Sequence, residues 1–200
     1  MPPKAKTSKQ QIVAAAFEIV RESGAPALNA RTLARRLGCS TQPLFYNFSS
    51  MDEVMASVIE AANDFYHTYI WKAMEEGKYP PYKASGMAYI RFAGEERNLF
   101  NLLFMRDRSN EKEDVQHGNF EEIVSMLMTN YGLSHEEAEL FHLEMWSVVH
   151  GIATMRATSF LKLDEGMTSE CLTDTFEAFK LRLAQKRGQH TGHHTYKEGE

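Results

Sequence analysis

The stretch of residues 29–48, NARTLARRLGCSTQPLFYNF, predicts two short helices joined by a tight turn. Asn29 is a favourable N-cap, and Gly38 suits the left-handed position at which helices often end. Ser40 is placed to cap the second helix, where Pro43 is tolerated because first-turn amides have no intrahelical partner. The apolar residues of the first helix share one narrow stripe. They are Ala30, Leu33, Ala34 and Leu37. The stretch therefore has the layout of a helix-turn-helix.

The second helix predicts a surface that reads DNA. Leu44 and Phe48 point toward a core, by their spacing. Gln42, Phe45 and Tyr46 lie on other faces. Glutamine can bind adenine through two hydrogen bonds, and an aromatic ring can contact a thymine methyl or a sugar. The alternative is a stable three-helix unit whose polar residues only face solvent.

These residues resemble the DNA-binding segment of the TetR/AcrR family of bacterial transcription regulators. The matching positions are Arg31, Leu33, Ala34, Leu37, Gly38, Ser40 and residues 44–48. The chain departs from the family where Phe45, Asn47 and Met51 stand in place of the usual Tyr, His and Lys. The resemblance implies binding to a double-stranded DNA operator, and we expect eight residues to contact it. They are Arg31, Ser40, Thr41, Gln42, Pro43, Phe45, Tyr46 and Asn47.

The charge of the chain is unevenly distributed. Its formal net charge is −5, yet residues 1–50 hold seven Lys and Arg against two acids. The remaining residues hold fifteen against twenty-five. A basic N-terminal part (residues 1–50, the head) and an acidic remainder (the body) suit a protein that contacts a polyanion through one end only. The basic arm of residues 1–8 fits either a phosphate contact or a solubilising tail.

The cysteine usage and the hydropathy pattern indicate a cytoplasmic protein. Cys39 and Cys171 are far apart and lack metal-ligand spacing, which favours a reducing compartment over a disulfide framework. No apolar stretch approaches the roughly 20 residues that a membrane helix needs. The first apolar run is interrupted by Glu18 and follows a helical face, unlike a signal peptide. We therefore expect no membrane association.

The rest of the chain also predicts helices, so we expect an all-α protein. No segment shows the two-residue alternation of a strand. Residues 1–50 would form a three-helix helix-turn-helix domain, with a first helix over residues 9–23. A long helix would run from a Ser50–Glu53 capping box to about residue 76 and lead into an effector-binding and dimerisation domain of residues 51–187. Residues 188–200 would be a disordered, His-containing tail.

Within that second domain, the pattern predicts further helices over about 82–95, from 98, and over 120–131, 134–160 and 168–187. A polar loop is expected over residues 106–119. Between residues 145 and 155 the sequence is apolar nearly all round, which predicts a helix buried on both sides.

A second resemblance concerns the body. Trp146, His150 and Gly151 resemble a Trp…His-Gly signature in the C-terminal half of one TetR branch. The family resemblance implies a small-molecule effector site in this half. Aromatic and Met side chains at helical spacing fit such a site or a closed core equally well. The candidate ligand residues are Phe92, Phe100, Phe104, Met105, Trp146 and His150.

Catalytic, cofactor and metal sites find no support. No nucleophile, base and orienting group fall in a recognisable arrangement, and no phosphate-binding glycine loop occurs. His142 and His150 share a helix face but lie about 12 Å apart along its axis, too far to hold one ion without other ligands. His190, His193 and His194 could bind a metal only weakly. We therefore expect no enzyme, cofactor or metal site.

We expect a homodimeric repressor that a small apolar ligand releases from a palindromic operator. The last two helices would pair with their symmetry mates in a four-helix bundle. Two alternatives remain open. An activator or nucleoid-type binder would keep the head without small-molecule control, and a helical-bundle enzyme or carrier would need only the pocket.

Overall fold

The computed structural model describes residues 7–107, 109 and 120–192, which are helical with no strand among them. Ser8, Asn29 and Ser134 cap their helices through their side chains. The prediction of an all-α fold is confirmed. The helices are α1 (Lys9–Ser23), α2 (Ala30–Arg36), α3 (Gln42–Asn47), α4 (Met51–Glu75), α5 (Pro81–Glu95), α6 (Arg97–Phe104), α7 (Phe120–Tyr131), α8 (His135–Ala157) and α9 (Glu165–Gly192).

α1, α2 and α3 form the head, whose small core contains Leu33, Leu44 and Phe48 as predicted. Asn29 accepts hydrogen bonds from the amides of Arg31 and Thr32 and caps α2. After α2 the chain turns at Gly38, whose φ of +64° lies in the region that only glycine adopts without strain. The two helices of the motif are thereby set on a common core.

The predicted cap of α3 was wrong. Thr41, not Ser40, occupies the N-cap position, and it makes no side-chain cap hydrogen bond. Pro43 has no amide hydrogen, and the amide of Leu44 already donates to the Thr41 carbonyl oxygen at 3.1 Å. The first turn therefore leaves no free amide at the positions that a capping hydroxyl usually serves.

α4 connects the head with the body. Its 25 residues span about 37 Å. Ser50 accepts from the Glu53 amide at 3.3 Å, but the Glu53 carboxylate bonds to Ser49 and Lys9 instead of closing the predicted capping box. The helix packs against α1 at one end and against α5 and α6 further along. It is the longest element that contacts both parts.

The boundaries of the last two helices differ from those predicted. α8 ends at Ala157 rather than near residue 160, and Ser159 adopts a left-handed conformation with φ of 58°. α9 starts at Glu165 and continues to Gly192, five residues beyond the predicted end. Residues 193–200 of the predicted tail, the arm of residues 1–6 and most of the predicted loop of residues 106–119 lie outside the described residues.

The core is divided in two. The larger cluster of buried residues runs without interruption from the head through α4 into α5, α6 and α8. A smaller one, around Ile123, Leu127 and Phe141, joins α7 to α8. The prediction that residues 145–155 are buried on both sides was wrong, because Ser147 and Gly151 are exposed on one face. None of the described helices has both the length and the apolar character that crossing a bilayer requires.

Candidate DNA-binding surface and ligand cavity

The outer face of α3 carries three exposed side chains. Phe45 is 50% exposed and Tyr46 is 77% exposed, although both are large and partly apolar. The Gln42 Nε2 group donates a hydrogen bond of 2.7 Å to the Tyr46 hydroxyl, one helical turn away. Water does not favour such a display of aromatic surface. This exposed aromatic face is therefore a candidate for contact with another molecule.

The other residues expected to contact DNA differ in their solvent exposure and in their hydrogen bonds. Arg31 and Ser40 are exposed, and Thr41 and Pro43 are half-buried. Asn47 is half-buried, and its amide donates to the Pro43 carbonyl at 2.9 Å and the Thr7 carbonyl at 3.4 Å. Its side chain thus ties the end of α3 to the segment before α1. A role for Asn47 in DNA contact stays a prediction.

A cavity of about 780 Å³ lies in the body. Its wall includes members of both core clusters, so it fills the space between them. The aromatic share of the wall is large. It comes from Tyr66, Tyr82, Tyr89, Phe104, Trp146 and Phe176, among others. This volume and an apolar wall with few polar groups are typical of small-molecule sites.

Two of the six predicted ligand residues, Phe104 and Trp146, line this cavity. Phe92 and Phe100 are fully buried in the closed core behind it. Met105 is 47% exposed, and its sulfur accepts a hydrogen bond from Thr154. These three lie outside the cavity wall, because periodicity identifies a buried face without showing which part of it borders a void.

The sixth predicted residue, His150, lies directly behind the wall. Its ring stacks on Trp146 with centroids 4.8 Å apart and on Phe100 at 5.9 Å. Its Nδ1 atom is 2.8 Å from the Tyr89 hydroxyl. His150 therefore supports two residues that line the cavity, Trp146 and Tyr89.

Two Tyr–His pairs join α5 to α8. Tyr82 lies 3.1 Å from His142 Nδ1, and Tyr89 forms the corresponding pair with His150. Burial raises the pKa of both tyrosines, so they remain protonated, and burial lowers the pKa of His150. The Tyr89 hydroxyl and His150 Nδ1 thus share one hydrogen bond between neutral groups, and the histidine tautomer decides which of them donates. These polar groups satisfy one another inside an apolar wall.

The pKa of His150 makes the stability of the fold depend on pH. Since burial lowers this pKa below its usual value of about 6.5, the unfolded chain binds a proton here at a higher pH than the folded protein. The stabilisation is complete above pH ~6.5 and is lost as the pH falls through the folded pKa. We expect the free energy of unfolding, measured by urea titration, to fall less between pH 7.5 and pH 5 in His150→Phe than in the wild type. Equal losses would show that His150 does not carry this dependence.

Among the described residues, Glu121, His135 and Glu139 form a group with ligand atoms within 4.8 Å of one another. His135 lies 3.7 Å from Glu121 and 3.5 Å from Glu139. All three side chains are substantially exposed, and exposed acidic groups of this kind are common in proteins without a bound ion. The group gives no support for a metal site.

The head and the body meet at Arg21 of α1. Its guanidinium makes a two-point contact with the Glu96 carboxylate, including Nε to Oε2 at 2.8 Å. The same group lies 5.0 Å from the centre of the Phe65 ring. Asn98 donates to the Arg21 carbonyl at 2.9 Å. α6, which begins at this junction, ends at Phe104 in the cavity wall.

Comparison with known proteins agrees with this architecture. Residues 82–179 match the family described as "Tetracyclin repressor-like, C-terminal domain". No curated protein matches the chain. The chain is therefore placed by its family match and by its fold.

Three solved structures illustrate the fold. A TetR family member from Streptomyces coelicolor A3 is 18% identical, with a TM-score of 0.60 over 83% of this chain and 96% of that one. A TetR-like transcriptional regulator from Rhodococcus sp. RHA1 is 16% identical, with a TM-score of 0.61 over 88% and 96%. The multidrug binding protein EbrR, complexed with imidazole, is 18% identical, with a TM-score of 0.56 over 83% and 93%.

Residues 82–179 therefore form a tetracyclin repressor-like C-terminal domain, and the chain has the fold of TetR-family transcriptional regulators. Regulators of this family bind DNA operators, dimerise and respond to small molecules. The significance of the Trp146 to Gly151 pattern stays a prediction.

Proposed function

We propose that the protein is a homodimeric repressor that leaves its operator when a small, largely apolar ligand fills the cavity. The observation that carries the proposal is that one chain holds an exposed recognition surface and a large aromatic cavity, with α4 contacting both. An activator or nucleoid-type binder would need the first feature without the second.

The recognition surface suits a major groove. Gln42 and Tyr46 stand beside each other on the exposed face of α3, and Arg31 is exposed on α2. Such residues provide hydrogen bonds to base edges and phosphates. Lys9 adds a positive charge at the start of α1, where it lies 4.7 Å from the Phe48 ring and pairs with Glu53.

Two apolar helix faces support dimerisation through α8 and α9. On α8, Leu140 and Leu143 are about half-exposed and share a face with Ser147 and Gly151. On α9, the exposed face includes Met167, Cys171, Ala178 and Leu181. The small side chains of Ser147 and Gly151, one and two turns beyond Leu143, would allow two helices to approach closely. Pairing these faces with their symmetry mates would bury them in a four-helix bundle.

A ligand in the cavity acts on the head through α4 and α6. Phe104 forms part of the wall at one end of α6, and Glu96, just before its first residue, holds Arg21 of the head. A ligand that displaces Phe104 would move the Arg21–Glu96 contact and change the separation of the two recognition helices. The ligand releases DNA only if it binds this altered arrangement more tightly than the arrangement that binds DNA.

We expect Glu96→Gln to weaken the coupling between ligand and operator by several-fold, because it keeps the size of the side chain but removes the charge opposite Arg21. The measurement is the ratio of operator Kd values with and without a saturating ligand. Glu95→Gln is the matched control, since Glu95 instead accepts a hydrogen bond from Tyr69 at 2.6 Å. Equal Kd ratios in the wild type and both variants would show that the Arg21–Glu96 contact does not couple ligand binding to operator release.

The proposal is tested by selecting bound sequences from random duplex DNA. A homodimer of this fold should select an inverted repeat whose half-sites lie about one helical turn, or a multiple of it, apart. Adding compounds to the selected complex should then identify one that releases it. Selection without any sequence preference would favour a nucleoid-type role and contradict the proposal.

A further inference from the structure

The polar groups on most of the cavity wall are already engaged within the protein. Tyr82 and Tyr89 pair with histidines, and the Ser85 hydroxyl donates to the Tyr82 carbonyl at 2.8 Å. Lys83 donates to Thr173 at 2.7 Å. Lys180 forms an ion pair with Glu177 at 2.9 Å, and this pair is exposed along α9. These groups offer a ligand little unused hydrogen-bonding capacity.

The α4 side of the wall differs. Asn63, Tyr66, His67 and Ile70 line the cavity from one face of this helix. Asn63 and His67 lie one turn apart and are half-buried. Within the part of the chain that the structure describes, neither side chain has a hydrogen-bond partner. An apolar ligand that shields these two side chains from solvent without hydrogen-bonding to them would incur an energetic cost, which a ligand with a suitable polar group avoids.

We propose that Asn63 and His67 form the polar recognition point of the cavity, and that the ligand is a mainly aromatic molecule bearing a hydrogen-bond-accepting oxygen such as a carbonyl. This inference rests on the proposed ligand-binding function and names the chemistry that the site selects. The remaining wall supplies aromatic surface for the body of the ligand.

The geometry of α4 explains why the ligand should carry an acceptor. Side chains four residues apart on a helix have Cβ atoms about 5–6 Å from each other, so both can reach one oxygen. The Asn63 amide and the His67 ring each present an N–H group. A carbonyl oxygen has two lone pairs and accepts both hydrogen bonds. A pure hydrocarbon would leave both donors buried without a partner.

This placement also lets the ligand bind directly to α4, the helix that connects the body with the head. Apolar contacts with α5, α8 and α9 fill the cavity, whereas hydrogen bonds to Asn63 and His67 act on α4 itself. A ligand with the acceptor oxygen therefore contacts α4 through hydrogen bonds as well as through Tyr66 and Ile70, whereas an isosteric hydrocarbon makes only the apolar contacts.

The test uses two probes of matched shape, 2-acetonaphthone and 2-isopropenylnaphthalene, in which a carbonyl oxygen replaces a methylene group. Equilibrium dialysis at pH 7.5 against the full-length protein gives both Kd values without DNA. We expect the ketone to bind the wild type roughly tenfold more tightly relative to the hydrocarbon than it binds Asn63→Leu with His67→Phe. The matched control is Asn130→Leu, an exposed position on α7 outside the wall, which should keep the wild-type preference.

Loss of the ketone preference in the double variant, with hydrocarbon binding retained, supports the proposal and also shows that the variant still folds around the cavity. An unchanged preference in that variant, or no binding of either probe by the wild type, overturns it. Because no DNA is present, failure here is distinct from failure of the regulator function, which the operator experiments measure separately.

Discussion

Replacing Arg31 and Tyr46 together with alanine is expected to weaken operator binding at least ~100-fold. In the proposed complex each side chain would make a base or phosphate contact, and such contacts contribute about 1–3 kcal/mol in each half-site of a dimer. Tyr46 is 77% exposed and Arg31 is also exposed, so the fold should lose less than about 0.5 kcal/mol. The measurement is operator Kd by fluorescence anisotropy at fixed salt, with thermal unfolding to confirm the fold.

The control for this prediction removes one positive charge from the body. Lys162 is exposed between α8 and α9, and Lys162→Ala should change operator Kd by less than twofold. Removing a phosphate contact also lowers the salt dependence of binding by about one unit in the log–log slope. An Arg31→Ala, Tyr46→Ala variant that binds like the wild type would show that the outer face of α3 does not meet DNA.

The second large effect is expected from Gly151→Arg. Gly151 lies on the exposed face of α8, and a Cβ atom there would meet nothing within 4 Å in the protomer. Replacing a mid-helix glycine should even stabilise the isolated protomer by about 0.5–1 kcal/mol. In a dimer packed through this face, however, the arginine would be forced between two helices. We expect a monomer by light scattering, with operator affinity at least ~100-fold lower.

The opposite signs of these effects make the variant informative. A destabilised fold cannot explain a monomer that keeps the wild-type helical content and unfolds cooperatively, whereas loss of the dimer by itself lowers the unfolding temperature. Ser125→Arg, at an exposed position of α7, places the same side chain on another helix and should leave the dimer intact. A dimeric Gly151→Arg protein would place the interface elsewhere.

The sequence allowed the helices to be predicted closely because each carries local signals. Asn29 acts as the cap that its position suggested, and the glycine after α2 adopts the expected conformation. Where a helix boundary depended on competing local interactions, the predictions were less accurate. The Glu53 carboxylate could bond to the Ser50 amide or to Ser49; it bonds to Ser49 and also to Lys9, which is 44 residues away in the sequence.

The cavity could be predicted only in part. Phe104 and Trp146 were found from their aromatic character, but Phe92 and Phe100 share that character and lie in the closed core. The sequence did not identify Asn63 and His67 as cavity residues, because a polar residue on a long amphipathic helix usually faces solvent. Only the packing of α4 across α5 shows that their face borders a void.

The measurement that tests the central claim most directly is binding of the purified protein to its own upstream DNA, titrated with salt and compared with random duplex. The account predicts a site-selective complex with two protomers per site and an affinity that falls steeply as salt rises. The same complex should dissociate when an effector is added. Equal and weak binding to all duplexes, or no binding at low salt, would contradict it.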